Sequence, residues 1–235
     1  MSIITFASSK GGAGKTTSAI VLAITLANRG RVCVIDADPA ARLKAWADKA
    51  DLPENITVLV CTREREIHDM IARADKEHDY VIVDLEGAAT RLNAFAMGES
   101  DLVIIPMGDE QPDAEGAIET LSQVALESRA MRRDIPVRIL FARTQAAVKS
   151  RLARSLNAQV REKIGAFSTE LHARTAYSSL HNYGGTLHDL DRNQVTGVEK
   201  AIANADLVAA EIQEVLAWVR EIRRDGLKTE ETTHG

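Results

Sequence analysis

Eight consecutive residues near the N-terminus, Lys10-Gly11-Gly12-Ala13-Gly14-Lys15-Thr16-Thr17, restrict this chain more than any other stretch. An apolar run, residues 3–7, precedes them, and an alanine- and leucine-rich segment with helical spacing follows. Strand, glycine-rich loop and helix start form the setting in which such a loop holds phosphate. Glycines let successive N–H groups turn inward without Cβ clashes. The helix N-terminus adds a partial positive charge and free donors. In that setting Lys15 brings a full charge to the outer phosphates and the Thr16 hydroxyl ligates Mg²⁺.

Beyond the loop, short apolar runs alternate with helical segments. Helices are expected at 17–29, 40–49, 64–78 and 90–98, with strands at 32–35, 56–60, 80–84 and 102–106. A long helix over 113–132, a strand at 137–141 and a basic helix at 148–164 come next. A short strand at 167–171 and helices at 175–183 and 196–224 close the pattern. Such alternation predicts an α/β fold with a mostly parallel central sheet and helices on both faces. No internal repeat or long linker divides the chain. Residues 1–224 are therefore expected to form one domain and 225–235 a polar, mobile tail.

Ligands of open parallel sheets sit beyond the carboxyl ends of the strands, and carboxylates occupy those places here. Asp36 and Asp38 follow the second strand and Asp84 follows the fourth, with Gly87 three residues on. Asp84 is the expected Mg²⁺ ligand, direct or through water, and the Gly87 N–H approaches the γ-phosphate. An Asp at either place also serves as a helix cap.

The usual phosphate loop has glycine where this chain has Ser9, and Lys10 is an additional lysine. The string resembles the deviant Walker A motif, KGGxGKT[ST], of the ParA/MinD family of ATPases, at every fixed position. Residues 102–106 followed by Pro112-Asp113 resemble the segment after switch II of ParA proteins. Arg174-Thr175-Ala176-Tyr177 and Gly184-Gly185-Thr186-Leu187-His188-Asp189 resemble their C-terminal region. The likeness covers most of residues 1–220 and is strongest to the small plasmid-type ParA partition proteins, which lack an N-terminal DNA-binding extension.

That resemblance implies a P-loop ATPase with ATP and Mg²⁺ as ligands. It makes Lys10, Lys15 and Asp38 catalytic, Asp38 by positioning the attacking water from a switch I sequence, DxDP. Asp36 orients groups nearby. Lys10 reaches across an ATP-sandwich homodimer to the partner's nucleotide. The dimer binds nonspecific DNA, a ParB-like adaptor stimulates slow hydrolysis, and release follows. Adenine rather than guanine is part of the same implication; the loop expected after the strand at 137–141, with Arg143 and Thr144, is the candidate base-contacting segment. Glu86 departs from the small or polar residues common in that loop; it either alters turnover or faces solvent.

Net charge is −5 over 235 residues, which disfavours gross attraction to nucleic acid, but the distribution is uneven. Residues 129–174 hold eleven Lys/Arg against three acids, a local +8 that leaves −13 elsewhere. A basic face is expected there. Lys149, Arg151, Arg154 and Arg174 are its candidate DNA contacts; a solvated face with scattered ion pairs is the bland alternative. No signal-peptide pattern or membrane-length apolar run is visible. The two cysteines, Cys33 and Cys61, give no disulfide framework, and a cytoplasmic protein is expected; the family resemblance implies that it is nucleoid-associated when ATP-bound.

The stretch 215–222, centred on Trp218, continues into a tail too acidic and polar for a membrane anchor. Iron–sulfur reductases share the loop but need cysteines that meet across a dimer, and neither cysteine here suits. Two rivals stay open: a VirC-like helper of conjugative DNA transfer, and a nucleotide-binding scaffold with negligible hydrolysis. The six histidines show no metal spacing.

Overall fold

The computed structural model describes residues 2–145 and 150–233, with side chains through residue 224. In chain order the elements are β1 (Ser2–Phe6), α1 (Lys15–Ala27), β2 (Val32–Ala37), α2 (Arg42–Ala47) and β3 (Ile56–Val60). Then come α3 (Glu64–Glu77), β4 (Tyr80–Leu85), α4 (Arg91–Glu99), β5 (Leu102–Met107) and α5 (Gln111–Met131). The chain closes with β6 (Val137–Thr144), α6 (Arg151–Lys163), β7 (Leu171–His172), α7 (Thr175–Tyr183) and α8 (Val198–Thr233). One seven-stranded sheet runs in the order β3-β2-β4-β1-β5-β6-β7, and every pairing among the described residues is parallel.

Alternation along the strands divides the core in two. Ile4, Phe6, Val32, Val34 and Ile82 face α1, α7 and α8. Cys33, Ile35, Val81 and Val83 face α3, α4 and α5. Both faces are thus covered, which is why the strands are apolar throughout. Pro106 sits inside β5 without a lost ladder bond. The Ala7 N–H bonds the Ile104 carbonyl, so residue 106 points to the same side, where the pairing with β1 has already ended.

The elements depart from expectation at a few boundaries. The helix expected from residue 40 begins only at Arg42, after a turn in which Ala41 is left-handed (φ 48°). The Asp38 carboxylate accepts the Ala40 N–H at 2.8 Å and holds that turn. Helix α6 begins at Arg151 because Ser150 caps it, accepting the Ala153 N–H at 3.0 Å. The expected strand over 167–171 shrinks to Leu171–His172, with Ala166 making an isolated bridge to Ile139. Helix α8 continues through 225–233, part of the expected polar tail, where lysine and glutamate favour helix and a single glycine does not stop it.

Candidate active site

Register assembles the site. Asp36 and Asp84 lie side by side on β2 and β4, and Phe6 pairs with Asp84 on the other side. The loop that follows β1 is therefore delivered directly beside two carboxylates. Gly14 is left-handed (φ 98°) and turns the chain into α1 without a side-chain cap or an acid in the first turn. Helix α1 thus presents its first N–H groups to the cavity, where an anion would satisfy them. The cavity measures about 750 Å³ and is lined by the loop together with Asp38, Arg42, Glu86, Gly87, Arg143 and His181.

Lys15 is buried, with Nζ 3.5 Å from the Ser8 carbonyl. Burial lowers its pKa, while Asp84 and Asp38 favour its charge. Asp84 is fully buried, and neither carboxylate oxygen has a hydrogen-bond partner among the described residues. Burial pushes its pKa up to about 7, the Thr16 hydroxyl and Lys15 act to lower it, and Asp36 and Asp38 add to the rise. A buried carboxylate left unpartnered beside a threonine hydroxyl fits a hard cation. Asp84 and Thr16 are the residues that would hold Mg²⁺.

Asp36 is equally buried but fully engaged. Its oxygens accept the Asp38 N–H at 3.2 Å and the Lys44 N–H at 2.8 Å, so it pins residues 38–44 to the end of β2. Asp38 lines the cavity while bonding Ala40 N at 2.8 Å and the Arg42 guanidinium at 3.2 Å; it holds the turn before α2 and does not cap that helix, whose N-cap is Ala41. Gly87 lies so close that an added Cβ would stand 3.4 Å from Lys15 Nζ and 3.6 Å from Gly11 N. Glu86 is half-buried at the rim of the cavity and its charge acts on Lys15.

Lys10 does not face its own phosphate cavity. Its Nζ pairs with Asp113 at 3.3 Å, near the start of α5, and its side chain stays 43% exposed. Arg143, at φ 60°, donates to the Gly12 carbonyl and separates the main cavity from a second one of about 500 Å³. Thr144, expected at the base, is buried and bonds His172 Nδ1 at 2.9 Å instead. Arg174 is half-buried at the second cavity, away from the exposed face of α6.

Arg151 and Arg154 stand on that exposed face, whereas Lys149 lies outside the described residues. Much of the remaining basic interval is spent on packing. Arg161 pairs with Glu170 at 3.0 Å and lies 4.9 Å from the Phe141 ring, Arg138 covers Trp218 at 5.6 Å, and Arg133 donates to the Ser100 carbonyl.

Sequence reasoning missed His181, the contact of Asp113 with Lys10, and the residues of α5 that grip the loop. His181 Nε2 lies 2.8 Å from Thr17 Oγ1, and burial with Lys49 and Arg42 nearby lowers its pKa. Its spacing in the chain carries no ligand signal. Both cysteines are buried, out of reach of a second chain. Among the described residues no cluster of three or more His, Cys, Asp or Glu could hold a metal, and no helix is long and apolar enough to cross a membrane.

Comparison with known proteins gives the class of this chain: that of the ParA/MinD-type P-loop ATPases. Within it, the family model described as VirC1 protein matches residues 1–223, so the chain belongs to the VirC1 family. A protein ParA of Rhizobium radiobacter is 38% identical over 214 residues, 90% of this chain and 96% of that one. A virC1 protein of the same organism is 26% identical over 89% of this chain and 98% of its own length. Among solved structures, an ATP complex of Cyanothece McdA superposes with a TM-score of 0.74 at 18% identity, over 91% of this chain and 96% of that chain. MinD of Pyrococcus horikoshii with Mg-ADP gives a TM-score of 0.65 at 15% identity, over 88% and 95%. The structural likenesses speak to the fold alone.

Proposed function

We propose that this chain is a slow, Mg²⁺-dependent ATPase of DNA partition whose ATP-bound form is a sandwich homodimer on nonspecific DNA. The observation that carries the chemistry is the orphaned, buried Asp84 beside Thr16 and Lys15. The loop N–H groups and Lys15 hold the β- and γ-phosphates, and Gly87 brings its N–H close because no side chain intervenes. Bound Mg²⁺ offsets phosphate charge. Asp38 orients the attacking water after its outer oxygen gives up Arg42. Lys10 exchanges Asp113 for the partner's nucleotide, so pairing depends on ATP. The second cavity, beside Arg143 and Arg174, takes the adenine. A ParB-like adaptor accelerates hydrolysis and releases the dimer. A cytoplasmic protein that joins the nucleoid when ATP-bound follows from this cycle, with 1–224 as the working domain. The test is ATP hydrolysis with and without Mg²⁺, random duplex DNA and the adaptor encoded beside this chain. Absence of Mg²⁺-dependent hydrolysis under all of these conditions would contradict the reading.

The DNA surface in this reading is α6. Changing Arg151→Glu together with Arg154→Glu is expected to weaken binding to random duplex by about tenfold or more, and to make the slope of log affinity against log salt shallower by about 2. Fluorescence anisotropy at two salt concentrations, with ATP, measures both. An unchanged slope would remove α6 from the interface.

The family model supports a second reading, a VirC-like role in conjugative DNA transfer through the same ATP cycle. The genes beside this one separate the two: a small DNA-binding adaptor for partition, transfer genes for conjugation.

A further inference from the structure

The phosphate loop of this chain starts on a serine where the usual loop has glycine. Ser9 is not in the left-handed region, so glycine's freedom is not needed there. Its polar groups are instead tied to α5. The Ser9 N–H donates to Thr120 Oγ1 at 2.8 Å, and Ser9 Oγ donates to the Gly116 carbonyl at 3.0 Å. Thr120 Oγ1 donates in turn to the same Gly116 carbonyl at 2.8 Å. Thr120 is 1% exposed, so these bonds form away from water.

Gly116 supplies the space. A Cβ there would lie 3.1 Å from Lys10 Cβ and 3.5 Å from Ser9 Oγ. A glycine in a helix interior lowers helix propensity, and the close passage of the Lys10 stem gives this one a reason. Asp113, Gly116 and Thr120 fall three and four positions apart, on one face of α5. That face meets residues 9 and 10 and leaves the rest of the loop to the phosphates.

From this geometry we infer that Thr120 and Gly116 are positioning residues for Lys10: they fix Ser9 as a pivot on α5, so that the Lys10 head can leave Asp113 while its backbone stays in place. The inference rests on the proposed role of Lys10 in pairing. It deepens that role by naming what aims the lysine.

The main variant is Thr120→Val, which keeps the shape and removes the hydroxyl; Thr120→Ser restores the hydroxyl. A fluorescent ADP analogue reports nucleotide binding by the single chain. Sedimentation velocity with a non-cleavable ATP analogue reports pairing. Thr120→Val is expected to hold ADP within about threefold of the unaltered chain and to lose about tenfold or more in pairing, with Thr120→Ser near the unaltered chain in both. Equal pairing by the valine and serine variants would overturn the inference. So would parallel loss of ADP binding and pairing in the valine variant, since Thr120 would then only support the loop.

Gly116→Ala adds a check against simple misfolding. Alanine favours the helix while its Cβ crowds Lys10 at 3.1 Å, so a fall in pairing at an unchanged or higher melting temperature supports the inference. Unchanged pairing in this variant counts against the inference. A third readout does not involve pairing: acetylation of Lys10 by acetic anhydride in the ADP-bound chain, quantified by peptide mass spectrometry. Labelling should rise about threefold or more in Thr120→Val and stay level in Thr120→Ser. If the unaltered chain fails to pair but labelling changes this way, the sandwich reading fails and the positioning stands; if labelling does not change, the positioning fails.

Discussion

Replacing Asp84 by asparagine is expected to abolish Mg²⁺-dependent ATP hydrolysis and, in metal-free protein above pH 7, to raise the melting temperature. The two effects share a cause. Asp84 is buried with both oxygens unpartnered, and its pKa is raised from 3.8 to about 7. A carboxyl group with a raised pKa favours the folded state in its neutral form. That contribution is complete below about pH 4 and is lost as pH rises through about 7. At pH 8 the ionised group costs the metal-free fold up to about 4 kcal/mol, and asparagine carries no such cost. Even half of that would raise the melting temperature by about 4 °C or more in a chain of this size. Hydrolysis should fall by about a hundredfold or more, as when a preorganised electrostatic group is removed. Thermal melts at pH 5 and pH 8 in EDTA, beside a phosphate-release assay, measure both. The stability gain should be large at pH 8 and small at pH 5; a variant less stable than the parent at pH 8, or one hydrolysing ATP within about tenfold of the parent's rate, would contradict the metal role.

Lys10→Ala should separate nucleotide binding from pairing. The Lys10 ammonium sits on Asp113 rather than on its own phosphate cavity, so ADP affinity should stay within about threefold of the parent. ATP-dependent pairing, which in the proposed cycle needs that ammonium at the partner's nucleotide, should be lost. Asp113→Asn should act in the opposite direction. A partly exposed ion pair is worth about 0.2–1 kcal/mol, so removing this competitor should tighten pairing by up to about fivefold. Sedimentation at several protein concentrations with a non-cleavable ATP analogue measures the shift. Normal pairing by Lys10→Ala would dismiss the trans role.

The phosphate loop was legible because its donors are contiguous and flanked by a strand and a helix. Asp36 and Asp84 were legible because parallel strands carry their ligand-facing residues at their ends. The register adds that these two carboxylates are neighbours, and that only Asp84 is left unpartnered. What escaped depends on contacts far apart in the chain. Lys10 meets Asp113, Ser9 meets Thr120 and Thr17 meets His181 across separations of 103, 111 and 164 positions, and no periodicity encodes them. The departure at Ser9 was the signal for the second of these contacts. The basic interval could not be resolved into its parts for a related reason. Charge counting cannot tell Arg161, bound to Glu170 and stacked on Phe141, from Arg154 on an open helix face.

The sandwich itself is tested most directly by the mass of the unaltered chain in solution, in Mg²⁺, with ADP and with a non-cleavable ATP analogue. The account predicts one chain, 25.6 kDa, with ADP and twice that mass with the analogue. The same mass in both nucleotides would contradict it.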